Sequence, residues 1–245
     1  MSKKEKIVGI VQARMGSQRF PGKMKANLAG CPLIEWVLRR CLDSKSLDEV
    51  VLAVPYGPEN DFLRNEAGRL KVTCVSGEED DVLARFARAA RYSSADIVVR
   101  ICADNPLICA SEIDRVVGLF LERRPDYAFN HVPRLGNNYV DGLGAEVLTS
   151  ELLFRLSETA TEKRQREHVT SFIWDNPGEF TMLTLSAPPE YAFPEIRLDV
   201  DTKEDLSFLN DAIVAATNST TLVPAPSNFD VSTLVRILMR GKSRR

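Results

Sequence analysis

The sequence predicts an α/β fold: a mainly parallel sheet with helices on both faces and a small α+β elaboration. Three observations predict it. Short apolar runs recur, among them Ile7-Val-Gly-Ile-Val11, Glu49-Val-Val-Leu-Ala-Val54 and Asp96-Ile-Val-Val-Arg-Ile101, as strands covered on both faces require. The stretches between them carry apolar residues at helical spacing, so strand and helix alternate as in a sheet wrapped by helices. The first run also ends in a loop that holds Gly, Ser and Pro.

Each element follows in order. Ile7–Val11 reads as a buried strand. Pro32–Leu42 reads as a helix, with Leu33, Trp36, Val37 and Arg40 at helical spacing and Pro32 tolerated in the first turn. A strand at 49–54, a helix at 59–70 and a strand at 72–75 come next. The helix at 80–91 has Asp80 as its N-cap and an apolar stripe of Val82, Leu83, Phe86, Ala89 and Ala90. After the strand at 96–101, Ser111 serves as N-cap, with Asp114 three residues on, for a helix to about residue 122. From Pro125 to Gly144 no period is visible. A strand at 145–148, helices at 150–159 and 163–175, strands at 180–185 and 196–200 and a helix at 204–215 complete the main body. The expected organisation is therefore one domain over 1–217, with 125–190 an elaboration for a substrate or partner subunit. Residues 218–245 form a Thr/Pro/Ser-rich linker, a helix near 230–240 and a basic tail.

Composition narrows the function. The 245 residues are 44% hydrophobic and 27% charged, ordinary for a globular protein. A net charge of -2 and a pI near 5.9 argue against nucleic acid or an anionic membrane as partner. Five cysteines without CxxC spacing argue against a zinc site or a disulfide framework. No run is long enough for a signal h-region or a membrane span, so the expected location is cytoplasmic.

In α/β sheets ligands sit beyond the carboxyl ends of the strands. The first such loop, Gln12-Ala-Arg-Met-Gly-Ser-Gln-Arg-Phe-Pro-Gly-Lys23, carries three cations (Arg14, Arg19, Lys23), the Ser17 hydroxyl and two glycines, Gly16 and Gly22. Glycines let backbone N–H groups turn to an anion, and the cations neutralise phosphate charge. Neither GxGxxG nor GxxxxGK[ST] is present. A solvated basic loop is the plain alternative.

Two segments supply carboxylates. Arg100-Ile-Cys-Ala-Asp-Asn-Pro-Leu107 puts Asp104 just past a buried strand, where an Asp is also ordinary turn chemistry. Arg197-Leu-Asp-Val-Asp201 puts Asp199 and Asp201 on one side of an extended segment, although Asp201 or Thr202 can equally cap the following helix. Mg²⁺ takes one or two carboxylates, keeps waters and otherwise binds phosphate oxygens.

The string A-R-x-x-S-x-R-x-P-G-K at 13–23 resembles the N-terminal signature of the cytidylyltransferases that activate acidic sugars. These include the acylneuraminate and 3-deoxy-manno-octulosonate enzymes, and the SpsF-type spore-coat branch is nearest. Gln12 departs from the proline of the two better-known enzymes. The resemblance implies a Rossmann-like three-layer nucleotide-diphospho-sugar transferase fold, CTP as donor, Mg²⁺ as cofactor, an acidic sugar as acceptor and a homodimer formed through 125–190.

It also implies roles. Arg14, Ser17, Arg19 and Lys23 would cradle the triphosphate, with Ala13 and Gly16 also binding the nucleotide and Arg14 and Lys23 acting in catalysis with Asp104. Gly77, Asp81 and Arg85 match the family's G-x-x-x-D-V-L-x-R stretch at the nucleotide pocket, and Arg100 belongs to the same side. Asp104 and Asp201 would hold the metal, with Asp199 as a third candidate. His131, Asp141, Glu146, Arg166 and His168 fall on the acceptor side, where Gly144 and Ala145 replace the commoner Asp-Val. A continuous helix over 163–175, its apolar face set by Val169, Phe172 and Ile173, would put Glu167 on the far side and Arg166 and His168 on opposite flanks.

The reaction implied is in-line displacement at the α-phosphorus with loss of pyrophosphate. Two other readings stay open. One is a nucleotide-sugar-dependent glycosyltransferase using Asp199-Val-Asp201 as a DxD metal site, and the other a CTP-binding subunit without turnover. Pyrophosphate release separates them.

Overall fold

The computed structural model describes residues 4–217 and 225–242. The chain begins with β1 (Ile7–Gln12), followed by a loop and a small hairpin, β2 (Asn27–Leu28) and β3 (Cys31–Pro32). α1 (Leu33–Leu42), β4 (Glu49–Pro55), α2 (Asp61–Arg69), β5 (Thr73–Gly77), α3 (Val82–Tyr92), β6 (Ile97–Cys102) and α4 (Ala110–Arg123) complete the alternation. β1 pairs in parallel with β4 and β6, and β4 with β5. Alternate residues of these apolar strands feed two cores. Val11, Leu52, Val54, Val99 and Ile101 meet α1, α2 and α4, whereas Val8, Ile10, Val51, Ala53 and Val98 meet α3 on the opposite face. The result is three layers, with the sheet in the middle.

The elaboration adds β7 (Tyr127–Phe129), β8 (Glu146–Thr149), α5 (Ser150–Thr159), α6 (Lys163–Glu167), α7 (Ser171–Asp175) and β9 (Met182–Thr184). α8 (Lys203–Thr217) and α9 (Val231–Lys242) follow. The sheet order is β5-β4-β1-β6-β8-β7-β9. β8 is antiparallel to both of its neighbours, and β9 is parallel to β7. Among the described residues no helix is long and apolar enough to cross a membrane.

Several local expectations are corrected. β7 lies inside the stretch that showed no period. The helix expected over 163–175 breaks after Glu167: His168 is extended (φ -110, ψ 93). The break buries Val169 and Thr170, and the Thr170 hydroxyl donates to Glu146 at 2.7 Å. A tertiary bond overrides the helical period there. The segment 196–200 is not a strand, apart from a single bridge between Arg197 and Asp141. Its backbone bonds run to two loops: Asp141 N–H to Ile196 O, Leu198 N–H to Asp141 O and Val200 N–H to Asp104 O, at 2.8–3.1 Å.

Caps shift as well. Asp81, not Asp80, caps α3 by accepting from the Ala84 N–H at 2.9 Å. α4 starts from Cys109 without a side-chain cap, so Ser111 lies inside it, and Asp114 serves Ser44, Lys45 and Ser46 instead. Of the expected linker, 218–224 lie outside the described residues, as do 243–245 of the basic tail. Phe229 stacks edge-on against Trp36 at 5.6 Å, and Val231, Leu234 and Val235 join the same core as α1.

Candidate active site

From β1 the chain moves outward to β4 and β5, then returns to place β6 on the other side of β1. A crevice opens at such a switch point, beyond the carboxyl ends of the strands. A cavity of about 600 Å³ occupies it, walled by the loop after β1, the loop after β6, the start of α3, and Glu167, His168 and Asp201.

The loop after β1 is folded onto itself. The Gly22 N–H donates to Met15 O and the Lys23 N–H to Phe20 O, both at 3.1 Å. Gly22 has φ +72, in the left-handed region where a side chain is strained. The Phe20 N–H donates to the Ser17 hydroxyl at 3.3 Å, and the Phe20 ring is buried. Ala13, Arg14, Ser17, Arg19 and Lys23 all line the cavity. Gly16 does not, and a Cβ there would meet a Glu79 carboxylate oxygen at 2.8 Å.

Lys23 is buried to 7% exposure. Its ammonium donates to Val200 O at 2.6 Å and lies 3.5 Å from Asp201 and 4.0 Å from Asp104. Arg19 reaches Asp201 at 2.9 Å. One ammonium thus sits between two carboxylates that come from distant parts of the sequence. Burial pushes the Asp104 carboxyl up, Lys23 opposes this, and Asp201 and Asp199 reinforce it. Arg14, 3.8 Å from Glu167, bridges to the overhanging segment.

Hard carboxylate oxygens facing an open cavity suit a divalent cation. Among the described residues no group of three or more His, Cys, Asp or Glu is arranged to hold one. Two carboxylates suffice where phosphate oxygens and water complete the shell. Asp199, the third expected ligand, is turned elsewhere. It accepts two bonds from Arg197, at 2.6 and 3.1 Å, and lines a separate groove with Leu198 and Asp205. Asp205 meanwhile accepts from the Asp201 and Thr202 N–H groups and its own N–H donates to the Thr202 hydroxyl, a reciprocal cap for α8.

Arg85 is buried against the cavity, and its guanidinium donates to the carbonyls of Glu78 and Glu79. Burial, then the charge of Arg14, lowers its pKa to about 10, so it stays cationic at neutral pH. Gly77 and Asp81 shape the approach to α3 without lining the cavity. A Cβ on Gly77 would press on Arg85 at 3.0 Å.

Further expectations change. Arg166 lies behind the cavity: it donates to Asp81, and to the carbonyls of Ser157 and Ala160. Arg100 and Glu146 form a buried ion pair, because the two face each other across the β6–β8 register. Glu146 is 2% exposed and also accepts from the hydroxyls of Tyr127 and Thr170, so its oxygens are not open to a ligand. His131 lies against Phe129, 3.8 Å from Glu146. Burial, then Arg100 and Arg134, lowers its pKa to about 3, and it stays neutral. The Asp141 carboxyl is pushed up to about 6 by burial and by Asp199. Only His168 of the expected acceptor residues lines the cavity.

Sequence reasoning alone missed Val82, Met24, Gln18, Cys102 and Ala103 as lining residues, and treated Gln12 only as a departure. Gln12 and Cys102 were within reach, as the last residues of two central strands. Glu167, which a continuous helix over 163–175 would turn away, reaches the cavity wall because the helix breaks after it.

A cation-lined crevice with paired carboxylates, on a three-layer α/β fold, defines a site for a polyphosphate ligand. Residues 8–222 match the family model described as cytidylyltransferase. The spore coat polysaccharide biosynthesis protein SpsF of Bacillus subtilis is 30% identical over 204 residues, 81% of this chain and 82% of its own. A 3-deoxy-manno-octulosonate cytidylyltransferase of Bdellovibrio bacteriovorus is 38% identical over 117 residues, 48% of this chain and 47% of its own. The solved structure of a cytidylyltransferase from Leptospira borgpetersenii aligns with a TM-score of 0.86 at 26% identity, over 98% of this chain and 96% of that one. The chain belongs to the cytidylyltransferase family, whose members are CTP-dependent nucleotidyltransferases.

Proposed function

We propose that the protein transfers CMP from CTP to an acidic sugar, releasing pyrophosphate, in the synthesis of a surface polysaccharide or glycoconjugate. The observation that carries this reading is the Lys23 ammonium set between Asp104 and Asp201, with Arg19 on Asp201 and Arg14 close by. The relatives' names, a spore coat polysaccharide protein and an octulosonate cytidylyltransferase, support the acceptor class.

In this reading Arg14, Ser17, Arg19 and Lys23 bind the triphosphate. Asp104 and Asp201 would hold Mg²⁺, which would supply Lewis-acid chemistry toward the phosphates. An acceptor oxygen attacks the α-phosphorus in line, its bond forms as the bond to pyrophosphate breaks, and the loop cations neutralise the leaving group. Arg85 walls the nucleotide side and His168 the acceptor side. Arg100, Glu146, His131, Asp81 and Arg166 position these groups from behind. A DxD glycosyltransferase is disfavoured, since Arg197 holds the first aspartate of Asp199-Val-Asp201.

The protein acts as a homodimer in the cytoplasm. The exposed Leu183 of edge strand β9 and Leu135 support a contact through 125–190, and five free cysteines suit a reducing compartment. A panel of nucleotides against acidic sugars, read as pyrophosphate release, tests the reading. Release with CTP and an acidic sugar is expected. CTP binding with no release across the panel would leave a non-catalytic nucleotide-binding subunit.

A further inference from the structure

We infer that Gln12 is a specificity-determining residue for the acceptor, its side-chain NH₂ donating to an acceptor oxygen while Arg100 fixes the amide. This rests on the transferase reading above.

Gln12 ends β1 at the cavity wall, and its carbonyl accepts from the Ala103 N–H at 3.2 Å, so its backbone is pinned. In the β1–β6 register Ile10 faces Arg100 and Gln12 faces Cys102. Residues two apart share a sheet face, so Gln12 and Arg100 lie on the α3 side, with Glu146 opposite Arg100 in β8. Glu146, Arg100 and Gln12 thus form one polar row across an otherwise apolar face that includes Val8, Ile10, Val98 and Leu148.

The row sets the amide's orientation. A guanidinium has donors and no acceptor, so the carbonyl oxygen of Gln12, not its nitrogen, faces Arg100, at 3.3 Å. The two N–H donors of the amide meet no partner among the described residues. A buried carboxylate holds the arginine, the arginine holds the amide, and the amide offers a fixed donor pair to the cavity.

Position decides which ligand takes it. The loop cations and the two carboxylates answer the charge of a polyphosphate. A neutral amide recognises oxygen by direction instead, which suits a sugar hydroxyl or carboxylate. The same row anchors the segment over the acceptor side, because Thr170, two residues past His168, bonds Glu146. A site built to hydrogen-bond an oxygen also rejects analogues that lack it.

The experiment measures CTP affinity by calorimetry and acceptor KM by pyrophosphate release for wild type, Gln12→Met and Gln12→Glu. Methionine keeps the size and removes the donors, so acceptor KM should rise about tenfold with CTP affinity kept within about twofold. Glutamate also sets a negative charge toward an acidic acceptor, and should cost at least as much. Retained CTP affinity reports an intact site in both variants. Unchanged acceptor KM in both variants, or weakened CTP binding in either, overturns the assignment of Gln12. A wild type that releases no pyrophosphate with any acceptor overturns the transferase reading itself, and this inference with it.

Discussion

The guanidinium of Arg166 grips one carboxylate oxygen of Asp81 with two donors, at 2.5 and 2.7 Å, while the other oxygen of Asp81 caps α3. One aspartate therefore joins the segment over the cavity to the helix that carries Arg85. Arg166 is thus a strut between α6 and α3, its guanidinium taken up by Asp81 and the carbonyls of Ser157 and Ala160.

Arg166→Ala should accordingly cost stability as well as activity. It removes the Asp81 bonds and those to the carbonyls of Ser157 and Ala160. The pair is partly exposed, at 27% for each side chain, so a total of roughly 1–3 kcal/mol is expected. The thermal midpoint should fall by several degrees, and both CTP affinity and acceptor KM should worsen. An unchanged midpoint with an effect on acceptor KM alone would show that Arg166 touches the acceptor after all.

Arg14 and Lys23 should separate in a way their common charge does not suggest. Arg14→Ala should weaken CTP binding about tenfold by loss of a charge-assisted contact, with little change in stability. Lys23→Ala leaves Asp104 and Asp201 without the ammonium between them, so it should lower both activity and the urea midpoint. If Lys23→Ala unfolds at the wild-type midpoint, the buried ammonium is not holding those carboxylates.

Asp104→Asn and Asp201→Asn should both abolish pyrophosphate release, since each loses a charge needed to hold a hard cation. EDTA should silence the wild type, and added Mg²⁺ or Mn²⁺ should restore it. Because burial and neighbouring aspartates raise the Asp104 pKa, against the opposing pull of Lys23, ionising it costs more in the folded protein than in the unfolded chain. Neutral Asn should then leave thermal stability equal to or above wild type at neutral pH. Full activity in EDTA would remove the metal from the mechanism.

His131 predicts a pH effect on stability. Its folded pKa, near 3, lies below the unfolded value of 6.5. Between those values the unfolded chain binds more protons, so this histidine's contribution is complete above the upper value and is lost as pH falls toward the lower one. Urea midpoints measured from about pH 7 down to about pH 4 should fall less steeply for His131→Phe than for wild type. Parallel curves would mean that the ring is protonated inside the fold.

The sequence made the parallel half of the sheet legible because each of its elements carries a local signal, a continuous apolar run or an amphipathic stripe. The cavity-lining loop after β1 was legible for the same reason, as a compact string of cations and glycines. Less legible were features set by contacts across the chain. Three residues suffice for β7 because its neighbours β8 and β9 exist. The helix at 163 stops where Thr170 finds Glu146, and nothing near Thr170 in sequence announces that partner. Arg100 and Glu146 read as separate ligand contacts until the β6–β8 register placed them face to face.

The bond from Lys23 to the Val200 carbonyl spans 177 positions in the chain. During synthesis the cationic loop emerges long before its carboxylate partner Asp201. A chain that lacks Asp201 thus holds the loop without this set of contacts, and should not release pyrophosphate from CTP. Such a long closure also raises contact order and slows folding. Activity then reports on complete assembly of the chain, and proteolytic loss of the C-terminal segments should silence the protein even while its first strands and helices remain paired.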